Sequence, residues 1–286
     1  MGKLLVIGDL HGNTGHALAL LREAKKQGCD RIFAVGDFGA WEHVPSGRRY
    51  FEVVNKAARR EGVRVYFLDG NHDKTSLIHE LYDEKRDDEG FLTCRSHIRY
   101  APRGHRWTWD DTRFAAFGGA YSVDKQRRLD WEAQRAAKPN ERRRYGTSRE
   151  RVTAGSLWFP EEQMTDAELD ALLEADSSPA DILFTHDKPR DSHPDFNRKK
   201  HPDCLPNQAR IQRVVETLHP AVLFHGHLHY RYTDQIWSGE GKPTRVEGLA
   251  ADPDASPRSD YHRDDSWYLL PLPYSRETAG IPLAAR

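Results

Sequence analysis

Residues 63–73 read VRVYFLDGNHD, an apolar and aromatic run that ends in glycine, asparagine, histidine and aspartate. A short run rich in β-branched and aromatic residues is typical of a strand buried on both faces. The side chains that follow it, Asn71, His72 and Asp73, are of types that bind metals or transfer protons. This stretch therefore predicts a buried strand whose end carries a chemically active site.

The same arrangement recurs along the chain. Further apolar runs that we predict to be strands lie at 3–7, 31–35, 113–117, 181–184 and 221–224. Helical patterns separate them. One begins with the capping-box spacing of Thr165 and Glu168, and another, at 211–218, has apolar residues at helical spacing. Because strands and helices alternate, we predict the α/β fold class.

Polar side chains follow five of the predicted strands. They are Asp9, His11, Asp37, Asn71, His186, His227 and His229. Ligands bind beyond the carboxyl ends of strands in α/β sheets, so we expect these side chains to converge. Carboxylate and amide oxygens mixed with imidazole nitrogens favour manganese, iron, zinc or nickel over calcium. Seven ligands are too many for one tetrahedral zinc ion and suit two ions that share a carboxylate, a centre that can activate water for attack at phosphorus.

Five motifs follow one another in the chain: D-x-H at 9–11, G-D at 36–37, G-N-H-D at 70–73, a histidine at 186 and G-H-x-H at 226–229. Their order resembles that of the calcineurin-like metallophosphoesterase superfamily. The resemblance implies a four-layer α/β/β/α sandwich with mixed β-sheets. It implies that one metal is held by Asp9, His11 and His229, the other by Asn71, His186 and His227, with Asp37 bridging them. It also matches His72 to the histidine that assists the leaving group and Asp73 to its acidic neighbour, and we expect both residues to be catalytic.

The sequence departs from the protein phosphatases of that superfamily, which carry an Asp-Arg pair shortly after the second motif. Here Asp37 is followed by FGAW, and no arginine occurs before Arg48. This difference favours a diester over a phosphoprotein as substrate. The second motif GDFG at 36–39, together with GGAYS at 118–122, resembles a bacterial and phage-type branch.

Charge is distributed unevenly along the 286 residues, although the formal net charge is only -1. Residues 125–151 contain ten basic and four acidic side chains, a net +6. We expect a single domain over 1–274 with an arginine-rich insertion at about 121–163, followed by a loose C-terminal tail over 275–286. The stretch from 252 to 265 is rich in proline and aspartate, and we predict that it is a surface loop. The insertion has three interpretations: a solvated charged face, an electrostatic funnel for an anionic substrate, or a contact with nucleic acid.

The three cysteines, Cys29, Cys94 and Cys204, are widely spaced and form no CxxC pair, so neither a disulfide framework nor a thiolate zinc site is expected. The sequence has no signal-peptide pattern and no apolar stretch long enough to span a membrane. These features predict a cytoplasmic protein without a membrane partner.

The residues and the resemblance together predict a dinuclear metal-dependent phosphoesterase. We expect it to hydrolyse a phosphodiester by attack of a metal-bridging hydroxide, with a cyclic nucleotide, another small nucleotide or a nucleic-acid end as substrate. Manganese is the expected ion, with iron, zinc or nickel as alternatives. The alternative functions are a phosphomonoesterase or protein phosphatase of the same fold, and a nucleic-acid-binding or scaffold protein that uses the arginine-rich insertion.

Overall fold

The computed structural model of the protein describes residues 2–137, 143–145, 148–150, 155–194, 201–238, 242–255 and 262–274. The strands are β1 Gly2–Ile7, β2 Arg31–Ala34, β3 Arg64–Phe67, β4 Leu92–Arg95, β5 Ile98–Tyr100, β6 His105–Trp109, β7 Thr112–Phe117, β8 Arg143–Tyr145, β9 Ser148–Glu150, β10 Ile182–Thr185, β11 Val222–His225, β12 Tyr232–Ser238, β13 Lys242–Gly248 and β14 Trp267–Leu272. The α-helices are α1 Thr14–Gln27, α2 Pro45–Glu61, α3 Thr75–Tyr82, α4 Lys125–Ala136, α5 Asp166–Ala175 and α6 Leu205–Leu218. The predicted tail over 275–286 lies outside the described residues.

Twelve of these strands form two six-stranded sheets. The first has the order β14-β1-β2-β3-β5-β4 and the second the order β12-β13-β11-β10-β7-β6. In each sheet the inner neighbours run parallel, whereas each edge strand pairs antiparallel with its neighbour. Both sheets are therefore mixed, as the resemblance implies. Strands β8 and β9 form a separate antiparallel pair.

Alternation along the strands gives each sheet two apolar faces, because successive side chains point to opposite sides. The inner faces pack against each other, and Phe33 of β2 stacks on Phe184 of β10 with ring centroids 4.1 Å apart. On the outer face of the first sheet, Phe67 packs with residues of α1 and α2. On the outer face of the second sheet, Leu183 packs with α5 and α6. The molecule is thus the four-layer α/β/β/α sandwich that was predicted.

The helix boundaries follow local chemistry. The side chain of Asn13 accepts a hydrogen bond from the N–H of His16 at the start of α1, and Gly28 ends that helix with a φ of +75°. The predicted capping box of Thr165 and Glu168 is present at the start of α5. In the described part of the chain, no helix combines the length and the apolar character needed to cross a membrane. The three cysteines are buried free thiols.

Candidate metal centre

The structure brings all seven predicted ligands together at one edge of the two sheets. Each lies in a loop that directly follows β1, β2, β3, β10 or β11. Contacts at the centre join residues that are far apart in sequence. For example, the backbone N–H of His227 donates to Asp9 Oδ1 over 3.0 Å. The carboxyl ends of strands from both sheets thus meet at one place, as expected for a ligand site in a parallel arrangement.

Four of these side chains form a compact group. One potential ligand atom each of Asp9, His11, Asp37 and His229 lies within 4.8 Å of the others. Nε2 of His229 is 3.2 Å from Asp9 Oδ2, and Nε2 of His11 is 3.2 Å from Asp37 Oδ2. Two carboxylates and two imidazoles at this spacing are a candidate site for a divalent cation.

The remaining three predicted ligands lie on the other side of Asp37. Nε2 of His186 is 3.0 Å from Asn71 Oδ1 and 3.5 Å from Asp37 Oδ2. The rings of His186 and His227 have centroids 5.1 Å apart. Nδ1 of His186 donates to the carbonyl of Val35 over 2.8 Å, which leaves Nε2 directed toward the centre.

Asp37 lies between the two groups. Its Oδ1 accepts a hydrogen bond from the N–H of His72, but its fully buried Oδ2 has no hydrogen-bond partner among the described residues. Instead, Nε2 atoms of His11, His186 and His72 surround Oδ2 at 3.2, 3.5 and 4.0 Å. A buried carboxylate oxygen requires a partner or a counter-charge. Imidazole nitrogens grouped around a shared carboxylate oxygen fit two divalent cations, so the donor set suits the metals that the resemblance implies.

The electrostatics of this centre are dominated by the buried carboxylates. Burial opposes ionisation of Asp37, but the neighbouring His72 and His186 hold its pKa well below the usual range. Burial would likewise lower the pKa of His186, yet the negative charge of Asp37 outweighs it and raises that pKa to about 10. The centre thus favours positive charge beside Asp37.

Backbone strain is concentrated at these residues. Four of the seven predicted ligands have left-handed φ values, +44° for His11 and Asp37 and +62° for His227 and His229. For residues other than glycine this conformation costs about 1–3 kcal/mol each, and it is enriched at functional sites.

Two motif glycines allow the loops to approach closely. A Cβ at Gly70 would lie 2.1 Å from Asp37 Oδ1, and one at Gly226 would lie 1.9 Å from Asp9 Oδ1. Both distances are far below contact, so a side chain at either position would displace a neighbouring carboxylate. The glycines in G-N-H-D and G-H-x-H therefore make room for ligands that come from other motifs.

The two residues predicted to be catalytic have different environments. His72 lies beside Asp37, and burial, together with the cation of Arg128, lowers its pKa to about 3. Asp73 is fully buried, and its carboxylate accepts hydrogen bonds from the N–H groups of Phe38, Gly39, Ala40 and Gly70 over 2.7–3.0 Å. These bonds fasten the loop of Asp37 to that of Asn71. The geometry favours a positioning role for Asp73 over the catalytic role expected for it.

Asp252 belongs to the site, although it is the first residue of the stretch 252–265 that we predicted to be a surface loop. It is buried, and its Oδ2 accepts a hydrogen bond from His11 Nδ1 over 2.9 Å. Its N–H donates to the carbonyl of Asp9 over 2.9 Å. The interpretation was wrong for this residue because Asp252 orients a predicted ligand. The signal was available: LAAD at 249–252 repeats the pattern of an apolar run that ends in an acid.

The arginine-rich insertion also reaches the centre. Asn71 Nδ2 donates to Ser122 Oγ over 2.9 Å, and Nη2 of Arg128 on α4 donates to His72 Nε2 over 3.2 Å. Ser122 is the last residue of the GGAYS motif at 118–122, whereas no motif includes Arg128. Residues 138–142, 146–147 and 151–154 of the insertion lie outside the described part of the chain.

A model of the calcineurin-like phosphoesterase family matches residues 2–231. No curated protein matches the sequence. The protein TT1561 of Thermus thermophilus is 12% identical, with a TM-score of 0.46 over 87% of this chain and 89% of that one. A dimetal phosphatase from Danio rerio is 15% identical, with a TM-score of 0.48 over 87% of each chain. Phosphopantetheinyl hydrolase from Mycobacterium tuberculosis is 18% identical, with a TM-score of 0.45 over 96% of each chain.

Proposed function

The chain belongs to the calcineurin-like phosphoesterase family, and we propose that it is a two-metal phosphodiesterase that acts on a nucleotide or a nucleic-acid end. Membership implies hydrolase activity on phosphoesters. The observation that carries the two-metal proposal is Asp37 Oδ2, a buried oxygen without a hydrogen-bond partner in the described residues and within 4.0 Å of three imidazole nitrogens.

We assign Asp9, His11 and His229 to one ion, Asn71, His186 and His227 to the other, and Asp37 to both. The grouping is supported by the 3.2 Å separation of His229 Nε2 and Asp9 Oδ2 and by the 3.0 Å separation of His186 Nε2 and Asn71 Oδ1. Two divalent ions, with manganese as the proposed species, would supply a hydroxide nucleophile near neutral pH and neutralise charge on the phosphoryl oxygens.

The protein's own groups orient these ligands and assist the leaving group. Asp252 holds the ring of His11 through Nδ1, and the Val35 carbonyl holds that of His186 in the same way. Such partners fix the ring so that Nε2 faces the centre. We propose that His72 stabilises the leaving oxygen, because its ring lies beside Asp37 without belonging to either ligand group.

Two features support a diester of nucleotide size. Arg48, the first arginine after Asp37, lies in the first turn of α2 and donates to the carbonyl of Glu42, just before that helix, over 2.7 Å. A cavity of about 940 Å³ opens beside His11 and is lined by Trp41, Arg49 and Tyr50. This volume is in the range of small-molecule sites, and its aromatic and cationic lining suits a base with an attached phosphate.

Replacement of Asp252 by asparagine is expected to weaken metal binding by about 10-fold or more, since loss of a partner that orients a metal-ligating histidine typically costs 10–100-fold. The affected ion should be the one assigned to His11. Isothermal titration of the metal-free protein with Mn²⁺ measures the change. Asp254→Asn is the matched control, because Asp254 lies in the same loop and binds Asn13 but makes no hydrogen bond to His11. Equal affinities in the two variants would contradict the role of Asp252.

The diester preference is tested with two chromogenic esters on the manganese-loaded protein. We expect kcat/KM for bis-p-nitrophenyl phosphate to exceed that for p-nitrophenyl phosphate by about 10-fold or more, a difference of 1.4 kcal/mol in activation free energy. A preference for the monoester would support the phosphomonoesterase alternative. If the protein binds both ions but hydrolyses neither ester and no member of a nucleotide panel, the result would favour the scaffold alternative.

A further inference from the structure

We propose that Arg128, on helix α4 of the arginine-rich insertion, is a substrate-binding residue whose guanidinium binds a phosphoryl oxygen at the metal centre. This inference rests on the proposed function and adds the residue that positions its anionic substrate. Neither a motif nor the order of the metal ligands identifies Arg128. The contacts that carry the inference are those of its guanidinium and of the helix that holds it.

The guanidinium lies at the centre itself. Nη2 of Arg128 is 3.2 Å from Nε2 of His72, and that same nitrogen is 4.0 Å from Asp37 Oδ2. An oxygen of a phosphoryl group bound beside Asp37 is therefore within reach of Arg128. Nη2 carries two N–H groups, so it can contact His72 and also donate to an oxygen.

The side chain is held in place by the protein. Nε donates to the carboxylate of Asp124 over 2.8 Å, and Nη1 donates to the carbonyl of Leu157 over 3.1 Å. About a quarter of the Arg128 side chain is exposed, so a ligand can reach it. A planar guanidinium fixed in this way loses little conformational freedom when it binds an anion.

Helix α4 is itself fastened to the centre and to the following segment. Ser122, just before the helix, accepts a hydrogen bond from the predicted ligand Asn71. Glu132 of the helix is buried, and its carboxylate accepts hydrogen bonds from the N–H groups of Gly155, Leu157 and Trp158 over 2.7–3.1 Å. The helix is thus a structural support for Arg128, which distinguishes it from a solvated charged face.

The positive charge of Arg128 is what suits it to bind a phosphoryl group. A fixed cation beside the ions raises the local concentration of anions and forms short, charge-assisted hydrogen bonds to phosphoryl oxygens. Among the interpretations of the insertion, these contacts favour the funnel for an anionic substrate. The ligand chemistry is a phosphoryl group, which substrate and inorganic phosphate share.

The test measures the binding of inorganic phosphate to the full-length, manganese-loaded protein by isothermal titration. We expect Arg128→Ala and Arg128→Gln to weaken phosphate binding by about 10- to 100-fold, the range for loss of a hydrogen bond to a charged group. Metal content, measured by elemental analysis, should be unchanged, and KM for the diester should rise. Arg127→Ala is the matched control: its side chain is 65% exposed and binds the same Asp124, and phosphate affinity should change less than about 2-fold.

Wild-type phosphate affinity in Arg128→Gln with full metal content would overturn the inference. The glutamine variant decides the question if the alanine variant does not fold, because glutamine keeps a polar side chain with a hydrogen-bond donor but lacks the positive charge. Failure of the proposed function has a different signature. If the wild-type protein binds phosphate through Arg128 but hydrolyses no phosphoester, the hydrolase proposal fails while the anion site stands.

Discussion

Replacement of Asp37 by asparagine is expected to abolish phosphoester hydrolysis and to reduce the bound metal from two ions to fewer than one per chain. The substitution keeps the size of the side chain but removes the negative charge that both ligand groups face. Oδ2 lies 3.2 Å from His11 Nε2 and 3.5 Å from His186 Nε2, so its loss affects both proposed ions together. Elemental analysis after metal loading measures the stoichiometry, and turnover of the diester measures the activity.

The matched control for this experiment is Asp69→Asn. Asp69 is also fully buried, but it pairs with Arg103 over 2.8 Å and accepts a hydrogen bond from Tyr100. Its replacement should lower the free energy of unfolding, because it leaves the charge of Arg103 without its carboxylate partner, while metal content is retained. An Asp37→Asn variant that kept both ions and its turnover would contradict the shared role of Asp37 and the two-metal proposal with it.

The central strands could be predicted from the sequence because burial on both faces leaves an almost continuous apolar run. All six predicted strands are present, as β1, β2, β3, β7, β10 and β11. The strands at or near the sheet edges could not be predicted in the same way, because one face meets solvent there and the apolar pattern weakens. In β14 the run contains Pro271, a residue that interrupts a strand pattern but is tolerated at an edge. In β12 the side chain of Trp237 is 64% exposed.

The site could be predicted to the extent that its residues occur in ordered motifs. The seven predicted ligands follow strand ends, and parallel strands bring their carboxyl ends to one edge, so the convergence follows from topology. The contact of Asp252 with His11 joins residues 241 apart in sequence, and that of Arg128 with His72 joins residues 56 apart. Such contacts depend on how loops and an insertion pack on the finished sheets. Neither periodicity nor local spacing contains that information.

The position of helix α4 also explains how an almost neutral chain can favour an anionic substrate. The basic excess lies in residues 125–151, and Arg128 of this segment contacts the centre. Arg127 of the same helix is 65% exposed and binds Asp124 over 3.0 Å. Among the described residues, Arg128 thus places a cation beside the proposed ions, a feature that the net charge of the chain does not reveal.

Replacement of His72 by alanine is expected to leave both ions bound and to lower kcat by about 10²–10⁴-fold, the usual contribution of a general acid–base group. The loss should be larger for an unactivated phenyl diester than for the nitrophenyl diester, because a poor leaving oxygen depends more on stabilisation. Rates on both esters and elemental analysis of the variant measure these effects.

His79→Ala is the control for His72, because His79 is a partly exposed histidine of α3 that lies outside the centre and pairs with Asp83. Its rates and metal content should match the wild type. Two results would contradict the role of His72. If the variant lost metal as Asp37→Asn does, His72 would act as a ligand, and if both esters slowed equally, it would not act on the leaving oxygen. The separation of metal binding from leaving-group assistance would thus distinguish His72 from the seven proposed ligands around it.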